Sequence, residues 1–271
     1  MKKGRLLANA YLVLVFGFLY VPIAVLIAFS FNESKSRTVF TGFTFKWYQN
    51  LFHNDMVLKS LGVSLGVAFA AACIATVVGT LAAIGISSMN KRARGAVMAV
   101  SYVPVVNPEI ITGVSLMLLY AMVNIQLGYL TLLLSHIAFC VPYVVLSVMP
   151  KLRQLDPNLA EAAQDLGATP MQGFFKVILP DIMPGVFSGF IMALTMSIDD
   201  FVVSFFTTGS GVSNLSITIY TMAKRGISPK INALSTIIFA CVFVLLIGLN
   251  LRDFRKDGRS QKKLDEVKIP Y

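Results

Sequence analysis

The sequence predicts an all-α, polytopic membrane protein with six transmembrane helices, a helical cytoplasmic loop and both termini in the cytoplasm. Three observations carry this prediction. The chain of 271 residues is 56% hydrophobic and only 13% charged, against about 25% charged residues in ordinary globular domains. Six apolar stretches reach the length of about 20 residues needed to cross roughly 30 Å of hydrocarbon. The basic residues gather at one set of segment ends, as the positive-inside rule requires.

The expected spans are 6–31, 61–87, 96–123, 129–149, 186–206 and 231–251. The first follows Lys2, Lys3 and Arg5 in the manner of a signal peptide, yet it is too long, contains Pro22 and has no small-residue cleavage site. It is therefore read as a retained span. With both termini inside, sixteen of the 23 Lys and Arg residues are cytoplasmic: Lys2, Lys3 and Arg5; Lys91, Arg92 and Arg94; Lys151, Arg153 and Lys176; and seven after Leu251. Topology thus explains the formal charge of +10 without nucleic acid. The chain reads as one transmembrane domain over 1–271, with a cytoplasmic loop at 150–185 and a solvated or headgroup-facing cytoplasmic tail at 252–271.

Several chemistries are excluded. Cys73, Cys140 and Cys241 lie in apolar spans, where a thiol behaves as a small hydrophobe, and no disulfide framework is implied. His53 and His136 have no metal-ligand spacing between them or with Cys. No Gly-rich loop ends in Gly-Lys-Ser/Thr, so an ATP-binding site must belong to another chain.

Four features stand out along the spans. The outer loop 32–60 carries Phe40, Phe43, Phe45, Trp47, Tyr48 and Phe52, a pattern usual at membrane interfaces. In the third span Pro104, Asn107, Pro108 and Glu109 interrupt the helix, which membranes tolerate where protein or a water-filled cavity satisfies the freed backbone groups; this break is expected to line a path. Gly62 with Gly66, and Gly185 with Gly189, allow close helix approach within the chain or toward a second subunit. The fifth span holds Asp199 and Asp200 among Phe, Val, Ile, Leu and Met. An acid at a helix centre in the bilayer costs about 2.5–3.5 kcal/mol, so a functional role is the default reading. Adjacent positions point about 100° apart, so one acid can face a path while the other accepts hydrogen bonds from backbone or Ser204. Glu109, Asp199 and Asp200 have no Lys or Arg deep in any span to balance them, a field that attracts cations and disfavours phosphate, sulfate or molybdate. Phe201, Phe205, Tyr102 and Tyr120 are candidate walls for such a path, and Asp199 with Asp200 also admits a proton relay in an ATP-independent carrier.

The loop predicts two short helices. Asp156 caps the first, Pro157 sits at its first position, Leu155, Leu159, Ala162 and Leu166 form its apolar stripe, and Gly167 ends it. Thr169-Pro170 starts the second, which is expected to run from Met171 and stop before Leu179-Pro180.

Glu161-Ala162-Ala163, Gly167 and Ile178-Leu179-Pro180 together resemble the cytoplasmic loop of ABC importer permeases. Phe45-Lys46-Trp47-Tyr48, the run Ser135-His136-Ile137-Ala138-Phe139-Cys140-Val141-Pro142, and Ser228-Pro229-Lys230-Ile231-Asn232-Ala233, taken with the three acids, resemble the spermidine/putrescine branch of that family over nearly the whole chain. The family more often has Asp where this chain has Glu109, which bears on the polyamine length that fits. The resemblance implies a permease that hydrolyses no ATP itself and carries no cofactor, with ATP and Mg in a partner ATPase dimer. It also implies a second permease subunit, an extracellular polyamine-binding protein and a multi-pass place among the lipids of a bacterial plasma membrane. Glu161, Ala162, Ala163, Asp165, Gly167 and Pro180 are the implied ATPase-coupling positions, and Asp199, Asp200 and Glu109 the implied substrate path. Another cationic or small solute of the same superfamily is the alternative cargo.

Overall fold

Helices make up the fold of the computed structural model, which describes residues 2–247 apart from 37, 157, 227, 228, 242, 245 and 246. The first half comprises α1 (Lys2–Ser30), α2 (Lys46–Phe52), α3 (Asp55–Ser88), α4 (Lys91–Val106), α5 (Glu109–Met122) and α6 (Tyr129–Gln154). The second comprises α7 (Leu159–Asp165), α8 (Pro170–Gly173), a π-helical turn (Phe174–Ile178), α9 (Leu179–Asp199), α10 (Val202–Thr207), α11 (Leu215–Lys224) and α12 (Pro229–Cys241). Among the described residues no strand forms beyond an antiparallel bridge between Asn32 and Phe43. Four segments are long and apolar enough to cross a membrane: Asn9–Ser30, Asp55–Ser88, Tyr129–Gln154 and Pro170–Asp199. A fifth crossing exists if α4 and α5, bent by 103°, count as one broken span. α12 is apolar but shorter; part of the expected sixth span and the whole tail 252–271, like Pro157, lie outside the described residues.

Two compact units divide the chain, Met1–Asp55 with Thr221–Tyr271, and Met56–Tyr220. In the first, the expected interfacial loop is built around Asn32, fully buried. Its side-chain amide donates to the Val39 carbonyl at 2.9 Å and its Oδ1 accepts from the Thr41 N–H at 2.8 Å, while Trp47 Nε1 donates to the Asn32 carbonyl at 2.7 Å. One asparagine thereby replaces the ladder a longer hairpin would supply. Phe31, Phe43, Phe45 and Tyr48 pack ring on ring beside it, with centroids 5.0 to 6.2 Å apart.

In the second unit α3, α6 and α9 share a core that includes Ala72, Ala75, Phe139, Val144, Val148, Ile182 and Ala193. Small residues set the spacing. A Cβ on Gly79 would lie 2.7 Å from Val144, one on Gly185 2.8 Å from Lys151 Cγ, and one on Gly189 3.2 Å from Val144. The Gly185/Gly189 pair therefore packs against α6 of its own chain, the geometry expected of small-xxx-small interfaces. Gly62 meets open space and Gly66 only the Tyr129 hydroxyl.

Three expectations need correction. The fifth span does not run 186–206: α9 starts at Leu179, is continuous through the π turn with α8, and ends at Asp199, because Asp200 adopts extended backbone (ψ 126°) and caps the next helix. The second loop helix does not stop before Leu179-Pro180 either. Pro180 falls in the first turn of α9, where its missing N–H costs no hydrogen bond, and the π turn absorbs the junction. Finally, the expected stripe is not one environment: Leu155 and Leu159 are half-buried, whereas Ala162 is exposed and Leu166 90% exposed.

Candidate functional site

Two helix breaks meet in the second unit. At the first, Asn107 precedes a proline and is held extended (ψ 144°), so the turn of α4 cannot continue and α5 restarts at Glu109. At the second, α9 ends at Asp199 and α10 restarts at Val202. Gly113, one turn into α5, brings the two together: a Cβ there would lie 3.0 Å from Phe206 and 3.3 Å from Val203 Cα. The two breaks that carry Glu109, Asp199 and Asp200 thus adjoin where α5 packs on α10.

Their surroundings separate them. Asp200 is 5% exposed. Its Oδ1 accepts from the Val203 N–H at 3.1 Å and its Oδ2 from the Ser204 N–H and hydroxyl, each at 2.7 Å, so it is the N-terminal cap of α10. Glu109 and Asp199 are exposed. Among the described residues neither pairs with Lys or Arg. Glu109 opens a helix, where the dipole favours an anion; Asp199 closes one, where the same dipole opposes it by about 0.3–1 kcal/mol. Local structure accounts for Asp200 and Glu109 but not for Asp199.

Asp200 is the acid expected to accept from backbone and Ser204, but the buried network behind it was not foreseen. Asn214 Nδ2 donates to Ser204 Oγ at 2.7 Å, its orientation set by the Ile217 N–H donating to Oδ1 at 2.9 Å. Ser204 must direct its proton to the Asp200 carboxylate, which can only accept. His136 Nε2, 2.9 Å from Ser204 Oγ and 3.5 Å from Asp200 Oδ2, is therefore the donor in that contact. In the neutral ring Nδ1 then accepts from Ser197 Oγ at 2.6 Å. Every polar atom in the set has a partner, and one α6 side chain ties the end of α9 to the start of α10. Thr131 adds a second tie, its hydroxyl donating to the Thr207 carbonyl at 2.7 Å. The available sequence signal was His136 itself, an ionisable side chain inside an apolar span.

Aromatic rings stand beside the acids. Phe201, directly after Asp200, lies 4.8 Å from the Tyr220 ring and 5.6 Å from Phe205. Tyr143 packs on Phe139 at 5.4 Å. Of the four rings named as walls, Phe201 and Phe205 join this group. Tyr120 does not: it is buried, its hydroxyl 2.9 Å from Ser135 Oγ. Tyr102 is exposed on α4. Tyr143 and Tyr220 were missed because they stand on other helices, far away in sequence.

The loop residues form a second site. Gly167 has φ +83°, its N–H donates to the Gln164 carbonyl at 2.8 Å, and the Ala168 N–H donates to the Ala163 carbonyl at 3.0 Å, a Schellman ending to α7. Thr169 and Gln172 cap α8 reciprocally. Ala163 packs toward Gly173, leaving Glu161, Ala162, Asp165, Leu166, Met171 and Phe175 exposed. A loop locked at both caps and presenting apolar side chains outward is suited to docking.

The fold and sites define a membrane-embedded permease. Residues 75–252 match the family described as "Binding-protein-dependent transport system inner membrane component", to which the chain belongs. The chain is 40% identical over 262 residues to the spermidine/putrescine transport system permease protein PotC of Escherichia coli (strain K12), covering 96% of this chain and 99% of that one. It is 38% identical over 241 residues to the putrescine transport system permease protein PotI of the same strain, covering 86% of each. A chain of a bacterial alginate ABC transporter, solved in complex with an alginate pentasaccharide-bound periplasmic protein, shares the fold with a TM-score of 0.66 at 19% identity, covering 92% and 93%.

Proposed function

We propose that this chain is the membrane subunit of an ATP-driven importer of polyamines, spermidine or putrescine, in a bacterial plasma membrane. It crosses six times with both termini inside. A second permease, an ATPase dimer that holds ATP and Mg, and an extracellular polyamine-binding protein complete the assembly. The observation that carries the cargo is the pair of exposed acids, Asp199 and Glu109, at two adjoining helix breaks, the second of which also carries the Phe201, Phe205 and Tyr220 ring group. A polyamine alternates ammonium groups with methylenes, and separated carboxylates with aromatic faces match both parts. Asp200 adds negative charge from behind while holding the break. The names and lengths of the polyamine-transport relatives support this reading.

The α7 helix docks on the ATPase through Leu166 and its exposed neighbours, and the continuous Pro170–Asp199 segment carries its motion to the acids. Labelled spermidine and putrescine uptake, in cells making the chain with its partners, tests the proposal. Unlabelled polyamines should compete, while phosphate and neutral sugars should not. Uptake blind to polyamines but inhibited by another solute overturns it.

A further inference from the structure

The basic residues at the start of α4 do more than mark topology. Lys91, Arg94 and Arg153 converge on a cavity of about 260 Å³ whose remaining lining is Gly95 and Met98. All its charges are positive, and among the described residues no acid pairs with any of the three. The first turn of α4 adds the positive end of a helix dipole. We propose that this cavity binds the phosphate headgroup of an anionic membrane lipid and clamps α4 to α6.

A phosphate source in the membrane fits the position. The apolar helix α3 ends at Ser88 and α4 begins at Lys91, so the cavity lies at the end of an apolar span. Met98, in its lining, is buried and apolar, matching the start of an acyl chain rather than a hydrated ion. Gly95 leaves the space open: a Cβ there would meet no atom within 4 Å. Basic pockets between membrane helices are established receptors for acidic headgroups. α7 and α8 contribute nothing to the lining. Occupancy matters for transport because α4 is the first half of the broken span that presents Glu109.

The test uses the full-length chain purified with its co-expressed partners, followed by native mass spectrometry in detergent with added phosphatidylglycerol or phosphatidylcholine. Wild type should retain phosphatidylglycerol and not phosphatidylcholine. The combined Lys91→Gln, Arg94→Gln, Arg153→Gln variant should retain it about tenfold less. Gly95→Leu keeps every charge and favours the helix, yet fills the cavity and should lose the lipid equally. Equal retention by wild type and both variants overturns the site. Displacement of the lipid by equimolar inorganic phosphate makes a soluble anion the ligand and overturns the lipid assignment. Loss of the ATPase from the charge variant, with lipid retention unchanged, assigns the cations to a protein contact and likewise overturns the proposal.

Discussion

At the scale of single residues, two adjacent aspartates divide their labour. Asp200 spends its acceptors on Val203 and Ser204, so Asp200→Asn puts an amide N–H₂ against donors and should cost about 2 kcal/mol. The expected readout is a melting temperature lower by several degrees in detergent and less protein in the membrane. Among the described residues Asp199 accepts no hydrogen bond through its side chain. Asp199→Asn should leave membrane levels unchanged and raise the KM for polyamine uptake about tenfold, a loss of about 1.4 kcal/mol of interaction. Equal stability of both variants with equal uptake defects would contradict the division. His136→Ala orphans Ser197 and removes a donor from Ser204, so it should resemble Asp200→Asn in thermal unfolding. The sequence makes the acids legible because charge in an apolar run is conspicuous. It does not reveal which acid is consumed locally, since that depends on Val203 and Ser204 of the restarted helix donating to Asp200, with Ser204 held in turn by His136 of α6 and Asn214 of the α10–α11 connection.

At the scale of elements, apolar length and proline placement predict where helices exist, and tertiary partners decide where they end. The break at Pro108 is legible because the ring dictates the backbone of Asn107. The end of α9 at Asp199 is not, because the apolar run continues to Phe206 and only the cap formed by Asp200 interrupts it. Periodicity groups Leu155, Leu159, Ala162 and Leu166, yet the buried contact of α7 is Ala163 against Gly173 and Leu166 stays exposed. An exposed Leu166 fits a contact with another chain. Leu166→Asp should reduce uptake at least fivefold while leaving the chain in the membrane, as measured by transport and immunoblot together. Gly167→Asp should do the same, since a side chain at φ +83° costs about 1 kcal/mol and disturbs the ending of α7. Gly185→Leu is different in kind. Its side chain would enter the α6 backbone at Ser147, so the expected outcome is loss of folded protein rather than uncoupling.

For the molecule as a whole, the sign of charge predicts selectivity. Uncompensated acids at the two breaks favour a cation, and reversing one should invert that preference. Asp199→Lys is expected to abolish spermidine uptake without lowering membrane levels; persistence of uptake at the wild-type rate would place the cargo elsewhere.

The π turn between α8 and α9 has a mechanical consequence. A π turn accommodates one extra residue in an otherwise α-helical register, so Phe174–Ile178 sets the rotational phase between the docking loop and the transmembrane rod. Winding those same residues as plain α-helix, with none removed, would swing α7 and α8 by about 100° around the rod. A motor gripping Leu166 would then push in the wrong direction, and the chain would idle: ATP consumed, nothing imported.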